Sequence, residues 1–202
     1  MEKRKTEVRG QFSTPIWIGK VGGHKAINEG LIEYIKKLKE KDPEGVKKSN
    51  TLGWHSLNFD LKDNTIKNFF SSIKPMLKEV SDDMRWDLKN FKIRVTGCWS
   101  IINQKFASNA GHIHANNLIS SVYYIKTNNK SGKIIFDDPR PAATIKTAPY
   151  HSLGNWNQGN VTVEPQDGLL VMFPSYLVHH VQPNMSEEER IILSFNLDVE
   201  KN

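Results

Sequence analysis

The stretch GHIHANNLISSVYYI, from Gly111 to Ile125, indicates the fold of this chain more strongly than any other. His112 and His114 are two residues apart, so on a strand their side chains face the same side. Two adjacent imidazoles on a rigid strand make half of a metal site. The segment from Leu118 to Ile125 is rich in β-branched and aromatic residues and predicts a strand.

A second cluster lies downstream, where Phe173 to Pro183 reads FPSYLVHHVQP and Arg190 follows. A short His-x-His motif with one distant histidine is typical of a metal held inside a β-barrel or jelly roll.

The composition is that of one globular domain spanning residues 1–202, with 38% hydrophobic and 25% charged residues. No apolar run is as long as a membrane span, and Met1–Lys5 is charged, unlike a signal peptide. The single Cys98 cannot form an intrachain disulfide. We therefore expect a cytoplasmic protein with no membrane partner.

A net charge of +6 raises the question of nucleic-acid binding. The lysines, however, concentrate on one predicted helix and the loop after it, and such runs usually keep a helix face solvated. No basic, aromatic stacking surface accompanies the histidines, so nucleic acid is not an expected partner.

The first 90 residues predict a helical support region. A strand is expected within Gln11–Lys20, a helix over Asn28–Lys41, and a short strand or ordered loop at Trp54–Leu57. A second helix should start near Asp63, with a kink or a break into two helices at Pro75.

After Asn90 the pattern changes to short strands separated by turns, which predicts a mainly β sandwich or barrel. Besides the histidine strand, the expected strands are Phe91–Phe106, Lys133–Phe136, Val161–Val163, Leu169–Phe173 and Arg190–Asp198. A long polar excursion should separate Asp138 from Asn160.

The order of these motifs over residues 91–198 resembles the Fe(II)- and 2-oxoglutarate-dependent oxygenases, with the greatest similarity to prolyl-hydroxylase-like members. The segment Gly53–Ser56, GWHS, is similar to a poorly characterised subfamily also found in phages. The resemblance implies a double-stranded β-helix (jelly-roll, cupin-like) core over residues 91–202. It also implies Fe(II) and 2-oxoglutarate as cofactors.

The resemblance assigns roles residue by residue. His112 matches the first metal ligand, and His179 matches the distal ligand better than His180 because the following Val181 and Pro183 fit the family pattern. Arg190 matches the basic residue that pairs with the far carboxylate of 2-oxoglutarate, for which a guanidinium offers a bidentate fork. Tyr124 matches a tyrosine whose hydroxyl bonds the same carboxylate.

His114 departs from the family pattern, which has Asp at this position. Three alternatives remain: His114 is the third ligand, Asp137 or Asp138 takes its place, or the metal has only two protein ligands. We favour a three-histidine site, because dianionic 2-oxoglutarate would neutralise the full double charge of the iron. Loss of metal binding is the further alternative.

Two more residues are candidates for cofactor binding. Asn103 could direct its amide into the barrel, although capping a strand end is an equally ordinary role. Ser194 should point inward with Arg190 and Ile192, because alternate residues of a strand share a face. Arg190 should also have an anionic partner, either Asp167 or 2-oxoglutarate.

The expected function is hydroxylation of a C–H bond in a small molecule or protein side chain, with release of succinate and CO₂. One alternative is a three-histidine, cupin-type dioxygenase that does not use 2-oxoglutarate; Arg190 and Tyr124 argue against it. A non-catalytic cupin-like binding module is another. The sequence does not decide between a monomer and a homodimer.

Overall fold

The computed structural model describes residues 6–140, 142 and 145–202, so Met1–Lys5 lies outside the described residues. Two helices, α1 and α2, span His24–Lys41 and Asn64–Asp83. Nine strands, β1 to β9, span Trp17–Lys20, Asn50–His55, Phe91–His112, Ile119–Lys126, Ile134–Asp137, Asn160–Val163, Leu169–Pro174, His179–Val181 and Arg190–Lys201.

The strands form one curled sheet in the order β1-β7-β4-β9-β3-β8-β5-β6, with β2 added along β3. All of the pairings are antiparallel. The long strand β3 joins the two halves, since it pairs with β9 along most of its length and with β8 near its end. The prediction of a mainly β, double-stranded β-helix fold with N-terminal helices is confirmed.

Strand β9 shows how the sequence sorts its side chains between the two faces of the sheet. Ile191, Leu193, Phe195 and Leu197 belong to the core beneath the helices. The alternate residues Arg190, Ile192, Ser194 and Asn196 line an internal cavity, as the strand period of two requires. The prediction that Arg190, Ile192 and Ser194 share the inward face is confirmed.

The helices cover the outer face of this half of the sheet. Phe69 of α2 packs against Tyr123 of β4 and Phe195 of β9, with ring centroids 4.9 and 6.0 Å apart. Asn28 of α1 donates to the backbone oxygen of Ile125 at 2.7 Å and accepts from the Tyr123 hydroxyl at 2.6 Å. These contacts hold β4 and β9 against the helices and leave their other face free to build a site.

Helix α2 is continuous through Pro75, so of the two predicted alternatives, a kink or a break into two helices, the break does not occur. Pro75 is on the exposed side of the helix. Because proline has no N–H, the carbonyl of Ser71 lacks its helical donor, and water can bind it there. Asp63 caps the helix by accepting from the Thr65 N–H at 2.7 Å, close to the predicted start. Helix α1 begins four residues before the predicted Asn28.

Strand β3 is longer than predicted and ends at His112 instead of Phe106. Residues 107–112 have little strand pattern of their own, but pairing with β2 and β8 keeps them extended. Strand β8 was not predicted, because a three-residue strand carries almost no periodic signal. Residues 145–159 of the predicted excursion contain turns and bends without a helix or strand.

Candidate metal and cosubstrate site

A cavity of about 690 Å³ lies inside the curled sheet, between the inward faces of β3, β4, β8 and β9. Apolar side chains, among them Ile101, Val122 and Phe173, form part of its wall. Three histidines and one arginine also line it. The cavity therefore brings ionisable groups together beside apolar side chains.

The three histidines converge although they come from separate parts of the sheet. His112 is the last residue of β3, and it pairs across the sheet with His179, the first residue of β8. His114 lies beyond the end of β3, so the expected placement of both histidines on one strand was wrong. Its N–H donates to the Ser175 carbonyl at 3.0 Å, which holds this loop in place.

One ring nitrogen from each histidine lies within 4.8 Å of the others. The Nε2 atoms of His112 and His114 are 3.2 Å apart. The His112 and His179 ring centroids are 4.3 Å apart. Among the described residues, no carboxylate or thiol joins this cluster.

In each of the three rings, Nδ1 lies within hydrogen-bond distance of an oxygen atom. Nδ1 of His112 lies 2.7 Å from the Ala110 carbonyl oxygen, and Nδ1 of His179 lies 3.0 Å from that of Leu177. Nδ1 of His114 lies 2.7 Å from Oδ1 of Asn196. Because each partner accepts, each Nδ1 carries the proton and each Nε2 presents a bare lone pair.

Burial keeps these rings neutral. Desolvation lowers the pKa of His112 and of His114, and lowers that of His179 to about 3. A neutral imidazole is the form that binds a metal. The protein therefore offers three ligand nitrogens without first having to remove three protons.

The donor set fits a divalent transition metal. Two bare Nε2 atoms 3.2 Å apart have no proton to share, so their lone pairs repel unless a cation lies between them. Imidazole suits iron, and oxygen partners on Nδ1 are the usual second contacts of metal-binding histidines. These three residues could hold Fe(II) on one face and leave the remaining positions open to the cavity.

The structure leaves the two aspartates outside the cluster. The carboxylate of Asp138 is bound by the Arg140 guanidinium at 2.8 Å. Asp137 faces His180, with 4.0 Å between its carboxylate oxygen and the ring nitrogen. The structure thus places neither aspartate where it could replace His114, and it turns His180 away from the three histidines.

Arg190 occupies another part of the cavity wall. It is 2% exposed, and its Nη1 donates to the backbone carbonyls of Ser131 and Gly132. Burial lowers its pKa to about 10, which still leaves it charged at neutral pH. It has no salt bridge among the residues that the structure describes. Asp167, one of its two predicted partners, instead accepts hydrogen bonds from the N–H and the hydroxyl of Thr127.

The other predicted cofactor residues divide into two groups. Tyr124 and Ser194 line the cavity, and burial raises the pKa of the Tyr124 hydroxyl, so it stays protonated. Asn103 does not line it: its Nδ2 donates to Oδ1 of Asn109 at 3.3 Å, in a buried position opposite Gly53. The Asn103 amide therefore contacts Asn109 next to strand β2 and does not reach the cavity.

Three of the lining residues that were not predicted to belong to the site lie next to its histidines. Asn196 orients His114, and Ser49 has its hydroxyl 3.5 Å from Nε2 of His112. Trp99 lies between His55 and His114, with ring centroids 5.7 and 5.6 Å away. The inward alternation of β9 could have identified Asn196, but nothing in the sequence places Ser49 beside His112.

Comparison with solved structures shows the same fold. A prolyl-4-hydroxylase from Pseudomonas putida is 13% identical, with 92% of each chain covered and a TM-score of 0.63. HygX from Streptomyces hygroscopicus, solved with nickel, 2-oxoglutarate and hygromycin B bound, is 10% identical over 91% of this chain and 82% of its own, with a TM-score of 0.61.

A viral collagen prolyl hydroxylase from Paramecium Bursaria Chlorella virus-1, in complex with 2-oxoglutarate, is 13% identical. It covers 89% of this chain and 94% of its own, with a TM-score of 0.55. The search of curated proteins found no match. None of the described helices is both long and apolar enough to cross a membrane.

The family comparison identifies the part of the chain that builds the cavity. Residues 97–196, about half of the chain, match the family model described as "Putative 2OG-Fe(II) oxygenase". This segment contains the three histidines, Tyr124 and Arg190. The cofactors of this family are Fe(II) and 2-oxoglutarate, and the histidine cluster fits the metal. The chain is therefore a member of the 2-oxoglutarate- and Fe(II)-dependent oxygenase family, and it is an enzyme of the dioxygenase class.

Proposed function

We propose that this protein hydroxylates a C–H bond of its substrate while converting 2-oxoglutarate to succinate and CO₂. The observation that carries the proposal is the convergence of one ring nitrogen from each of three histidines on a cavity that also contains the buried Arg190 guanidinium, which has no carboxylate partner among the described residues. Membership of the family supports the reaction class. The assignment of three histidines as metal ligands, and of Arg190 and Tyr124 as contacts to 2-oxoglutarate, is part of the proposal.

Each residue has a separate task in this proposal. His112, His114 and His179 would hold Fe(II), which supplies dioxygen activation when bound. Arg190 would bind the far carboxylate of 2-oxoglutarate through nitrogens other than the Nη1 that holds Ser131 and Gly132. The Tyr124 hydroxyl would donate to the same carboxylate.

The apolar wall around these groups contributes by excluding water. Ile101, Val122 and Ile192 lie beside Tyr124 and Arg190 in the buried inner core. A carboxylate–guanidinium pair is stronger there than in water, since it is screened less. The wall would therefore strengthen the contact that orients the cosubstrate relative to the histidine cluster.

The nature of the substrate follows only in outline. The structural neighbours include a viral collagen prolyl hydroxylase and HygX, which was solved with the small molecule hygromycin B bound. We infer that this chain acts on a small molecule or a protein side chain, in the cytoplasm.

The decisive experiment measures succinate from iron-loaded protein in air, with and without an extract of candidate small molecules. We expect slow succinate formation without substrate, and loss of that formation in His179→Ala but not in His180→Ala. Before air is admitted, anaerobic Fe(II) and 2-oxoglutarate should produce a weak visible charge-transfer band.

Two results would redirect the assignment. A charge-transfer band without succinate would favour a binding module. Oxygen consumption without any band or any requirement for 2-oxoglutarate would favour the three-histidine dioxygenase that needs no cosubstrate.

A further inference from the structure

The charge balance of the cavity carries an inference about its substrate. Among the described residues that line the cavity, none is Asp or Glu. The oxygens that accept from the three Nδ1 atoms are two backbone carbonyls and one amide, so the next layer also supplies no negative charge. The described residues at this site therefore supply no negative charge to balance a bound metal ion.

The positive charges can be counted residue by residue. A histidine that ligates a metal is neutral, so the three rings add no charge, whereas the Arg190 guanidinium carries one positive charge and a bound divalent metal would add two. Dianionic 2-oxoglutarate removes two of these three charges. One positive charge then remains in the loaded cavity, whereas an aspartate in place of His114 would have brought the balance to zero.

Burial makes this remaining charge consequential. Arg190 is 2% exposed and His179 is 4% exposed, so water screens the site poorly. Lys48, an exposed residue at the rim, adds a further positive charge on the side of the cavity that also contains His55. A cationic group entering this space would meet like charge with no acidic partner.

We propose that the substrate of this enzyme presents an anionic group, such as a carboxylate, to the cavity beside His114. This proposal rests on the proposed function, since it counts a divalent metal and 2-oxoglutarate as present. It assigns His114 a second role: by replacing a carboxylate it makes the loaded site selective for anions and against amines. A protonated amine, such as a lysine side chain, is thereby disfavoured beside His114.

A matched pair of probes tests the charge preference without a known substrate. Acetate and acetamide have nearly the same shape and differ by one charge. Each is titrated into protein loaded with Co(II) and 2-oxoglutarate, and the visible Co(II) spectrum is the readout. The spectral change on adding 2-oxoglutarate is recorded first, so a failure of the proposed function is seen before either probe is added.

We expect acetate to bind about 10- to 100-fold more tightly than acetamide, the range for gaining one charged partner. The preference should weaken as salt is raised. In His114→Asp, which restores the missing negative charge, the preference should fall to about threefold or less. His114→Glu provides a second carboxylate variant in case His114→Asp does not fold or load Co(II).

Lys48→Gln separates the two sources of positive charge. If the preference disappears in Lys48→Gln and survives in His114→Asp, the rim lysine is responsible and the role assigned to His114 is wrong. Equal affinity of the wild-type protein for acetate and acetamide overturns the proposal on its own, because it needs no variant to fold.

Discussion

Oδ1 of Asn196 accepts a hydrogen bond from Nδ1 of His114 at 2.7 Å, across 82 positions of sequence. Asn196 is 8% exposed and lies on the inward face of β9. This bond fixes both the tautomer and the orientation of the one histidine that lies beyond a strand end. His114 can therefore present Nε2 as reproducibly as the two strand histidines.

The first prediction follows from this bond. Asn196→Ala should weaken metal binding about 10- to 100-fold, the usual effect of losing such a partner. Competition with a chromophoric chelator for Co(II) measures the affinity. Asn117→Ala is the matched control, because its amide donates to the backbone carbonyls of His114 and Ala115 and accepts from the Thr96 hydroxyl, and none of these contacts is with a histidine ring. A similar loss in both variants would mean that the loop, and not the ring orientation, limits metal binding.

The second prediction concerns the ligands themselves. Anomalous scattering at the iron edge should place metal about 2.0–2.3 Å from Nε2 of His112, His114 and His179, by analogy with other metal–imidazole bonds. His180→Ala should retain full metal content, since His180 faces Asp137 outside the cluster. Metal found on His180 or Asp138 would contradict the assignment.

Much of the inner face was predictable because it depends on a local rule. The alternation of β9 places Arg190, Ile192 and Ser194 inward, and the same rule applied two residues further includes Asn196. Of the two neighbouring histidines, only His179 joins the cluster, as the prediction of His179 as the distal ligand requires. Local periodicity therefore identified the part of the cavity wall that β9 supplies.

The remaining features depend on contacts between distant segments. The end of β3 is extended by pairing with β2 and β8 rather than by its own sequence. Asn103 has the right periodicity to face the cavity, but β2 and Asn109 stand in front of its amide. The expected anionic partner of Arg190 is replaced in part by the carbonyls of the turn at Ser131 and Gly132. No pattern within one strand encodes these contacts.

The third prediction uses the lowered pKa of His179, which is about 3 in the folded protein and about 6.5 in an unfolded chain. Above both values the ring is neutral in each state and contributes no pH dependence. Between them the unfolded chain binds a proton that the folded protein does not. The free energy of unfolding of metal-free protein should therefore decrease as pH falls from about 6.5, by up to about 1.4 kcal/mol per pH unit for this residue.

Urea unfolding in the presence of a chelator, at about pH 7 and about pH 5, measures this effect. His112 and His114 act in the same direction, because burial lowers the pKa of each. His179→Gln should have a shallower pH dependence than wild type, since one differential proton is removed. An unchanged slope in His179→Gln would show that other groups dominate acid destabilisation.

The fourth prediction concerns Arg190, which holds the turn before β5 and faces the cavity. Gly132 has φ 77°, and the Gln182 carbonyl occupies the space where a Cβ would stand. This turn therefore packs closely against the backbone at Gln182. Nη1 of Arg190 donates to the carbonyls of Ser131 and Gly132. Removing the guanidinium leaves both carbonyls without this donor.

Arg190→Met keeps much of the stem but loses the charge and both hydrogen bonds. We expect the dissociation constant of 2-oxoglutarate to rise about 10- to 200-fold, as for a charged hydrogen bond worth ~1.5–3 kcal/mol. The free energy of unfolding should also fall by about 1–3 kcal/mol, because the turn loses its donors. Arg190→Lys keeps a charge without the fork, so its affinity for 2-oxoglutarate should lie between those of Met and wild type.

Isothermal titration of the metal-loaded protein gives the affinity, and urea unfolding without 2-oxoglutarate gives the stability. Arg94→Met is the matched control. Arg94 is a half-exposed arginine on β3, the strand that pairs with β9, and it forms a salt bridge with Glu200 at 3.1 Å. Exposed pairs of this kind contribute about 0–1 kcal/mol, so neither quantity should change much. A loss of stability in Arg190→Met with unchanged 2-oxoglutarate affinity would mean that Arg190 only fastens the turn, and that another cation binds the cosubstrate.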